Sequence, residues 1–180
     1  MTRLPATILA GAALLACAPS TPKPAPQRTL LSGAVAARTF EGASAAFSVE
    51  DGPPRGIVVR VTTRPDTCEA AADPSDAMDP SLLIALVPDQ AGTFDIVAPG
   101  AAAGARYATA TLFTFADVPD GGVPADAGPA RVTRGATGGT VVVRAYDPSE
   151  GGRLDADVVL QFGDAGYVGP VGASPCARVR

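Results

Sequence analysis

The side chains able to do chemistry are few, and their types narrow the options. The chain of 180 residues has no histidine, no tryptophan and three cysteines. Without imidazole there is no Ser-His or Cys-His nucleophile and no zinc site built on histidine. The single lysine, Lys23, lies in a proline-rich stretch, which leaves no base for a Ser-Lys dyad in the body of the chain. Fourteen basic against eighteen acidic residues give a formal charge of −4, so no basic footprint invites nucleic acid. Carboxylates remain. Asp73, Asp76 and Asp79 recur every third residue in Asp73-Pro-Ser-Asp-Ala-Met-Asp79. Oxygen-rich loops bind hard cations, but the alternating ligands and closing Glu of an EF-hand are missing here, and the neighbouring prolines indicate a solvated turn. Asp117, Asp120 and Asp126 form a second acidic loop of the same kind. Asp155 and Asp157 stand two apart, which on a strand puts both on one face about 7 Å apart. Paired carboxylates serve glycoside hydrolysis, yet a water-facing sheet surface is the commoner reason for the pattern. Gly121-Gly122 and Gly138-Gly139 are too short to cradle a phosphate, and no Lys follows them. Tyr146 and Tyr167 are candidates for a small sugar-stacking surface, although core or interface packing is the more usual role. From this inventory no catalytic set, cofactor or metal site is expected.

The N-terminus carries chemistry of a different sort. Residues 4–16 are apolar apart from Pro5, Thr7 and Gly11, and Arg3 precedes them. A membrane span needs about twenty apolar residues, so the stretch fits the hydrophobic region of a secretory signal instead. It ends in Leu14-Leu15-Ala16-Cys17, which resembles the lipobox of bacterial lipoproteins. That resemblance implies a diacylglycerol group on the Cys17 sulfur, cleavage just before Cys17, and acylation of the new amino group. Two or more acyl chains hold a protein on a membrane where one chain is marginal. Ala18 stands where enterobacterial lipoproteins retained at the inner membrane have Asp, which implies delivery to the outer membrane. The segments are then a signal peptide over 1–16, lipidated Cys17 with a tether over 17–29, and a body over 30–180. Pro19, Pro22, Pro24 and Pro26 favour a polyproline II tether reaching roughly 35–40 Å.

With Cys17 committed to lipid, Cys68 and Cys176 form an even pair outside the cytoplasm, which reads as a disulfide. The bond would pin the C-terminal strand to a loop far upstream.

The body must be built of strands. Alternation of period two recurs from residue 30 to residue 171, and no sustained helical period does. In residues 153–162, Leu154, Ala156, Val158, Leu160 and Phe162 share one face, while Arg153, Asp155, Asp157 and Gln161 share the other. In residues 56–63, Ile57, Val59 and Val61 point inward, with Arg60 and Thr62 outward. Residues 82–87 form a more continuous apolar run. Further strands are predicted over 92–97, 107–115 and 139–146, with weaker ones over 31–40, 43–49 and 167–171. Two long loops, 64–80 and 117–138, interrupt them. Eight or nine short strands separated by turns predict an all-β domain, a single antiparallel β-sandwich or a partly open barrel.

The lipobox at Cys17, Cys68 after Val58-Val59-Arg60-Val61, Gly92-Thr93-Phe94, and the run Gly139-Thr140-Val141, Gly152-Arg153-Leu154 and Cys176 together resemble the small disulfide-containing β-sandwich lipoproteins of myxobacteria and other GC-rich Gram-negative bacteria. The family has no assigned activity, so the resemblance implies fold and location. Pro170 and Pro175 in the last strand depart from its pattern. The expectation is a membrane-anchored envelope protein with a non-catalytic binding or structural module, partnered by the membrane and by envelope proteins or glycans. The alternatives are a carbohydrate-binding module and a small metal-dependent hydrolase using Asp73, Asp76 and Asp79.

Overall fold

The structure is a computed structural model, and it describes residues 32–35, 38–42, 44–64, 68, 80–115 and 131–177. The signal segment, Cys17 and the tether lie outside the described residues, as do both acidic loop clusters. Eleven strands are described: β1 Ser32–Val35, β2 Arg38–Glu41, β3 Ser44–Glu50, β4 Gly56–Thr62, β5 Ser81–Val87, β6 Gly92–Ile96, β7 Tyr107–Phe115, β8 Arg131–Gly135, β9 Gly138–Tyr146, β10 Leu154–Phe162 and β11 Ala165–Pro175.

Eight of them close into a ring in the order β10, β9, β6, β7, β5, β4, β3, β11, with β11 returning to β10. The chain is therefore all-β, but the expected antiparallel sandwich is corrected to a closed barrel. The physical reason lies at two seams. The strands β3, β4, β5 and β7 pair antiparallel throughout, as do β6, β9, β10 and β11. Left alone, these would be two four-stranded sheets. Parallel pairing of Asp95 with Tyr107 and Ile96 with Ala108 joins them on one side. Parallel pairing of Ala173, Ser174 and Pro175 with Ala45, Ala46 and Phe47 joins them on the other.

Each seam is short because a further strand occupies the rest of the same edge. β8 pairs with β7 over Thr111 to Phe115, and β1 pairs with β11 over Gly166 to Val168. The chain then crosses from β8 to β9. The Ala136 N–H donates to the Ala110 carbonyl at 2.8 Å, and the Thr137 N–H donates to the Gln161 carbonyl at 2.7 Å. Strands that change sheet in this way make the corners of closed β structures.

Alternation fills the interior. Ile57, Val59 and Val61 are buried as expected, as are Leu154, Ala156, Val158, Leu160 and Phe162. In β7 the inward set is Ala108, Ala110 and Leu112. Small residues are required there because an eight-stranded barrel is narrow and already holds Phe47, Phe94, Phe162 and Tyr167. The interior is thus a packed apolar core, each large aliphatic side chain contributing about 1.5–3 kcal/mol by leaving water.

The departure noted in the last strand has a structural answer. β11 pairs along β10 with Pro170 opposite Asp157. On its other edge β1 stops at Val168 and β3 begins at Ala173, so Pro170 falls in an interval with no paired strand. A missing N–H is tolerated there. At Gly139, where φ is 127°, only glycine fits: a Cβ would run into the Val159 carbonyl of β10.

Tyr167, 1% exposed, packs edge-on against Phe162 with ring centroids 5.6 Å apart. Burial pushes its hydroxyl up to about 12, opposed by the charge of Arg134. The folded pKa lies above the unfolded value near 10, so the contribution is intact below pH 10 and lost as pH rises toward 12. Alkaline titration is expected to cost roughly 2–3 kcal/mol through this group. Urea midpoints between pH 9 and 12 should show that slope, and Tyr167→Phe should flatten it.

Candidate functional site

The two halves of the barrel differ on their outward faces. On β9, β10 and β11 the outward valines Val142, Val159 and Val168 are exposed. On β3, β4 and β5 the outward side chains are buried or half-buried, apart from the exposed Glu50. Register aligns Ala46 with Arg60 and Arg60 with Leu83, then Thr62 with Ser81 and Ser81 with Phe113. Ala46, Ser48, Arg60, Thr62 and Ser81 are all buried.

One end of the disulfide lies against this face. The sequence places Cys176 just after β11, where its N–H donates to the Phe47 carbonyl at 2.7 Å. From there Cys176, with Val58 and Leu83, packs against Ala46. Cys176 is bonded to Cys68, with Cα atoms 5.6 Å apart, the ordinary span for such a bond. The predicted pair is therefore joined, and it ties Cys68 to Cys176 at the end of β11.

Arg60 sits in the middle of this face with 2% exposure. Its Nη2 donates to the Ser81 hydroxyl at 2.9 Å, and its guanidinium lies 6.0 Å from the centre of the Phe113 ring. Nε and Nη1 are buried and meet no acceptor. A second cation shares the ring: Arg131, exposed at the start of β8, stacks 4.2 Å from its centre. Burial, and after it the charge of Arg131, hold the Arg60 pKa below the usual arginine value. Arginine nevertheless stays protonated in proteins. Magnitudes make the arrangement unusual. A buried ion costs several kcal/mol. One hydrogen bond to a neutral hydroxyl returns about 1.5–3 kcal/mol, and a cation–π contact about 0.5–2 kcal/mol. The positive charge is under-compensated by what surrounds it.

Elsewhere three described arginines are held by carboxylates. Arg55 Nε lies 3.6 Å from Asp51 Oδ1 and 3.2 Å from Asp89 Oδ2. Arg144 Nη1 lies 2.8 Å from Asp157 Oδ2, and Arg153 Nε lies 2.8 Å from Asp155 Oδ2.

These pairs decide the fate of the predicted residues. Asp155 and Asp157 are each engaged by a separate arginine, Arg153 and Arg144 respectively. Asp155 is moreover buried, so the fully wet face expected for that strand is corrected. A register shift between Asp155 and Ala156 marks an irregularity of β9 against β10 next to both ion pairs. Tyr167 is inside the barrel, and Tyr146 packs against the core with its ring 5.8 Å from Phe47. They make no shared sugar-stacking surface, which corrects that candidate. The Tyr146 hydroxyl is buried without a partner, and burial first, then the charge of Asp89, raises its pKa, with Arg55 opposing. Gly138-Gly139 begins β9 and forms no loop. Among the described residues no cluster of three His, Cys, Asp or Glu side chains is placed to hold a metal ion. Arg60 is the residue that sequence reasoning missed as special. Its signal was indirect: apolar residues on both faces of residues 82–87, the mark of a strand covered on both sides.

No protein-family model, curated protein or solved structure matches the chain.

The bond closes a span of 108 residues, for which chain entropy gives roughly 4–5 kcal/mol. Cys68→Ser with Cys176→Ser should lower stability by about that amount in urea, and reductant should reproduce the loss in the native chain. Non-reducing peptide mapping should recover residues 68 and 176 as one linked species.

Proposed function

We propose that the chain is a lipid-anchored envelope protein whose barrel is a non-catalytic binding module. The observation that carries the location is the Cys68–Cys176 disulfide. Such bonds persist in oxidising compartments and are rare in the cytosol. It agrees with the signal-like stretch over 4–16 and with Leu14-Leu15-Ala16-Cys17, whose cysteine would carry the acyl chains. The outer membrane is the destination that Ala18 favours.

Binding is favoured over catalysis by how the side chains are spent. Phe47, Phe94, Leu112, Leu160 and their neighbours fill the barrel, so ligands meet its outside and ends. The carboxylates best placed for acid–base work are held in ion pairs with Arg144 and Arg153. An anchored, rigid, strand-built body on a proline-rich stalk suits capture of an envelope component.

Labelled palmitate should enter the wild-type protein in a lipoprotein-processing host, and Cys17→Ala should abolish labelling and leave unprocessed or soluble chain. Labelling that persists in Cys17→Ala would rule the anchor out. Cross-linked pulldown from envelope extract should recover a specific partner, and repeated recovery of none would count against the binding module.

A further inference from the structure

Arg60 on the outer face of β4 and Arg131 on β8 have no carboxylate partner among the described residues, unlike Arg55, Arg144 and Arg153. Arg60 is buried, its Nε and Nη1 reach no acceptor, and its Nη2 meets only the neutral Ser81 hydroxyl. Arg131 converges on the same aromatic ring from β8 and is exposed. The charge of Arg131 opposes that of Arg60 across the shared ring, and an anion near them would relieve that repulsion. The surroundings strengthen the demand. Leu83 and Ala46 flank Arg60 in register, and neither offers a polar side chain. A charge-assisted hydrogen bond in such surroundings is worth more than in water.

We propose that Arg60 and Arg131 form a binding site for an oxyanionic group, a carboxylate or a phosphate. Arg131 is the outer residue that draws the anion from solvent by charge. Arg60 is the buried one that holds it through donors the fold leaves unused. Guanidinium suits this role because it is weakly hydrated and planar, and its donors match the oxygens of both anion types. Phe113 sets the separation of the two cations by stacking with each. The Ser81 hydroxyl fixes the Arg60 rotamer through Nη2, leaving Nε and Nη1 for the anion. The site accounts for two arginines that share one ring with no carboxylate paired to either among the described residues. It deepens the binding-module reading, on which it rests, by naming the chemistry of what is bound.

The experiment titrates the full-length chain, labelled with ¹⁵N-arginine, with inorganic phosphate and separately with acetate, each against chloride at constant ionic strength. The Arg60 Nε–H resonance, identified by its loss in Arg60→Met, should move saturably with one anion or both. Saturation by phosphate alone assigns a phosphate ligand, and by acetate alone a carboxylate. The thermal midpoint should rise with the same anion. Arg60→Met should weaken that anion's apparent affinity at least tenfold, and Arg131→Gln several-fold. Arg131 is at the surface, so its variant carries the test should Arg60→Met fail to fold. Absence of a saturable response to either anion would overturn the site. So would an anion-induced midpoint rise of equal size in wild type and both variants, or an Arg60 Nε–H already held by a carboxylate of the chain. Because the titration reads Arg60 directly, its failure is separable from a failure of acylation or of partner capture.

Discussion

Two short parallel seams hold the barrel closed, and the rest of the structure depends on them. One uses two register pairs between β6 and β7, the other three between β11 and β3. Each half is a four-stranded antiparallel sheet with one strongly apolar face. Such a face can be buried by stacking two sheets or by closing them into a ring. Here the ring also satisfies the edges, since β1 and β8 pair with what the seams leave open on β11 and β7. Unpaired sheet edges invite association with other chains, and closure removes most of that hazard. Closure also decides what the interior can be. With eight strands there is room for side chains and little else, so Ala108, Ala110 and Ala156 stand among the aromatic residues as a volume requirement.

The outer face of β3, β4 and β5 follows from the second seam. Bringing β11 beside β3 sets Cys176 against Ala46, and Cys68 is bonded to Cys176 there. A strand face that would ordinarily be wet becomes a second, smaller buried layer. Arg60 is caught in it. Its burial is thus a by-product of topology, while its unused donors are a chemical property that a ligand can exploit. The ends of the barrel are handled differently: Arg55 lies between Asp51 and Asp89, and Arg106 sits over the Phe94 ring at 5.6 Å.

Local pattern was legible in the residues, and long-range pairing was not. Strands β3, β4, β5, β6, β7, β9 and β10 follow from alternation, because a half-buried strand must alternate whatever sheet it joins. β8 was hidden: Arg131-Val-Thr-Arg-Gly135 reads as a solvated loop and becomes a strand because β7 has an edge to offer. β11 was seen as a fragment over 167–171, because its two prolines and several glycines argue locally against a strand. Both prolines fall at places where the pairing of neighbours is interrupted or ends. The choice between sandwich and ring rests on five residue pairs, three of them 128 residues apart, and no local pattern encodes it. The burial of Arg60 has the same origin. Alternation correctly turns it outward from the barrel, and no local pattern tells that outward is not into water. The disulfide was readable once Cys17 was set aside for lipid, which left two cysteines.

The position of β11 in the chain has a consequence for how the protein comes into being. It is the last strand of the ring in sequence order, yet it borders β10, β3 and β1 at once. A polypeptide emerging from a ribosome or a translocation channel presents β3 to β10 first, and these can form two sheets with mismatched rims. The ring cannot lock until residues 165–176 arrive. Until then the half-made protein has open borders at β3 and β10, a state in which a holding chaperone would be most useful.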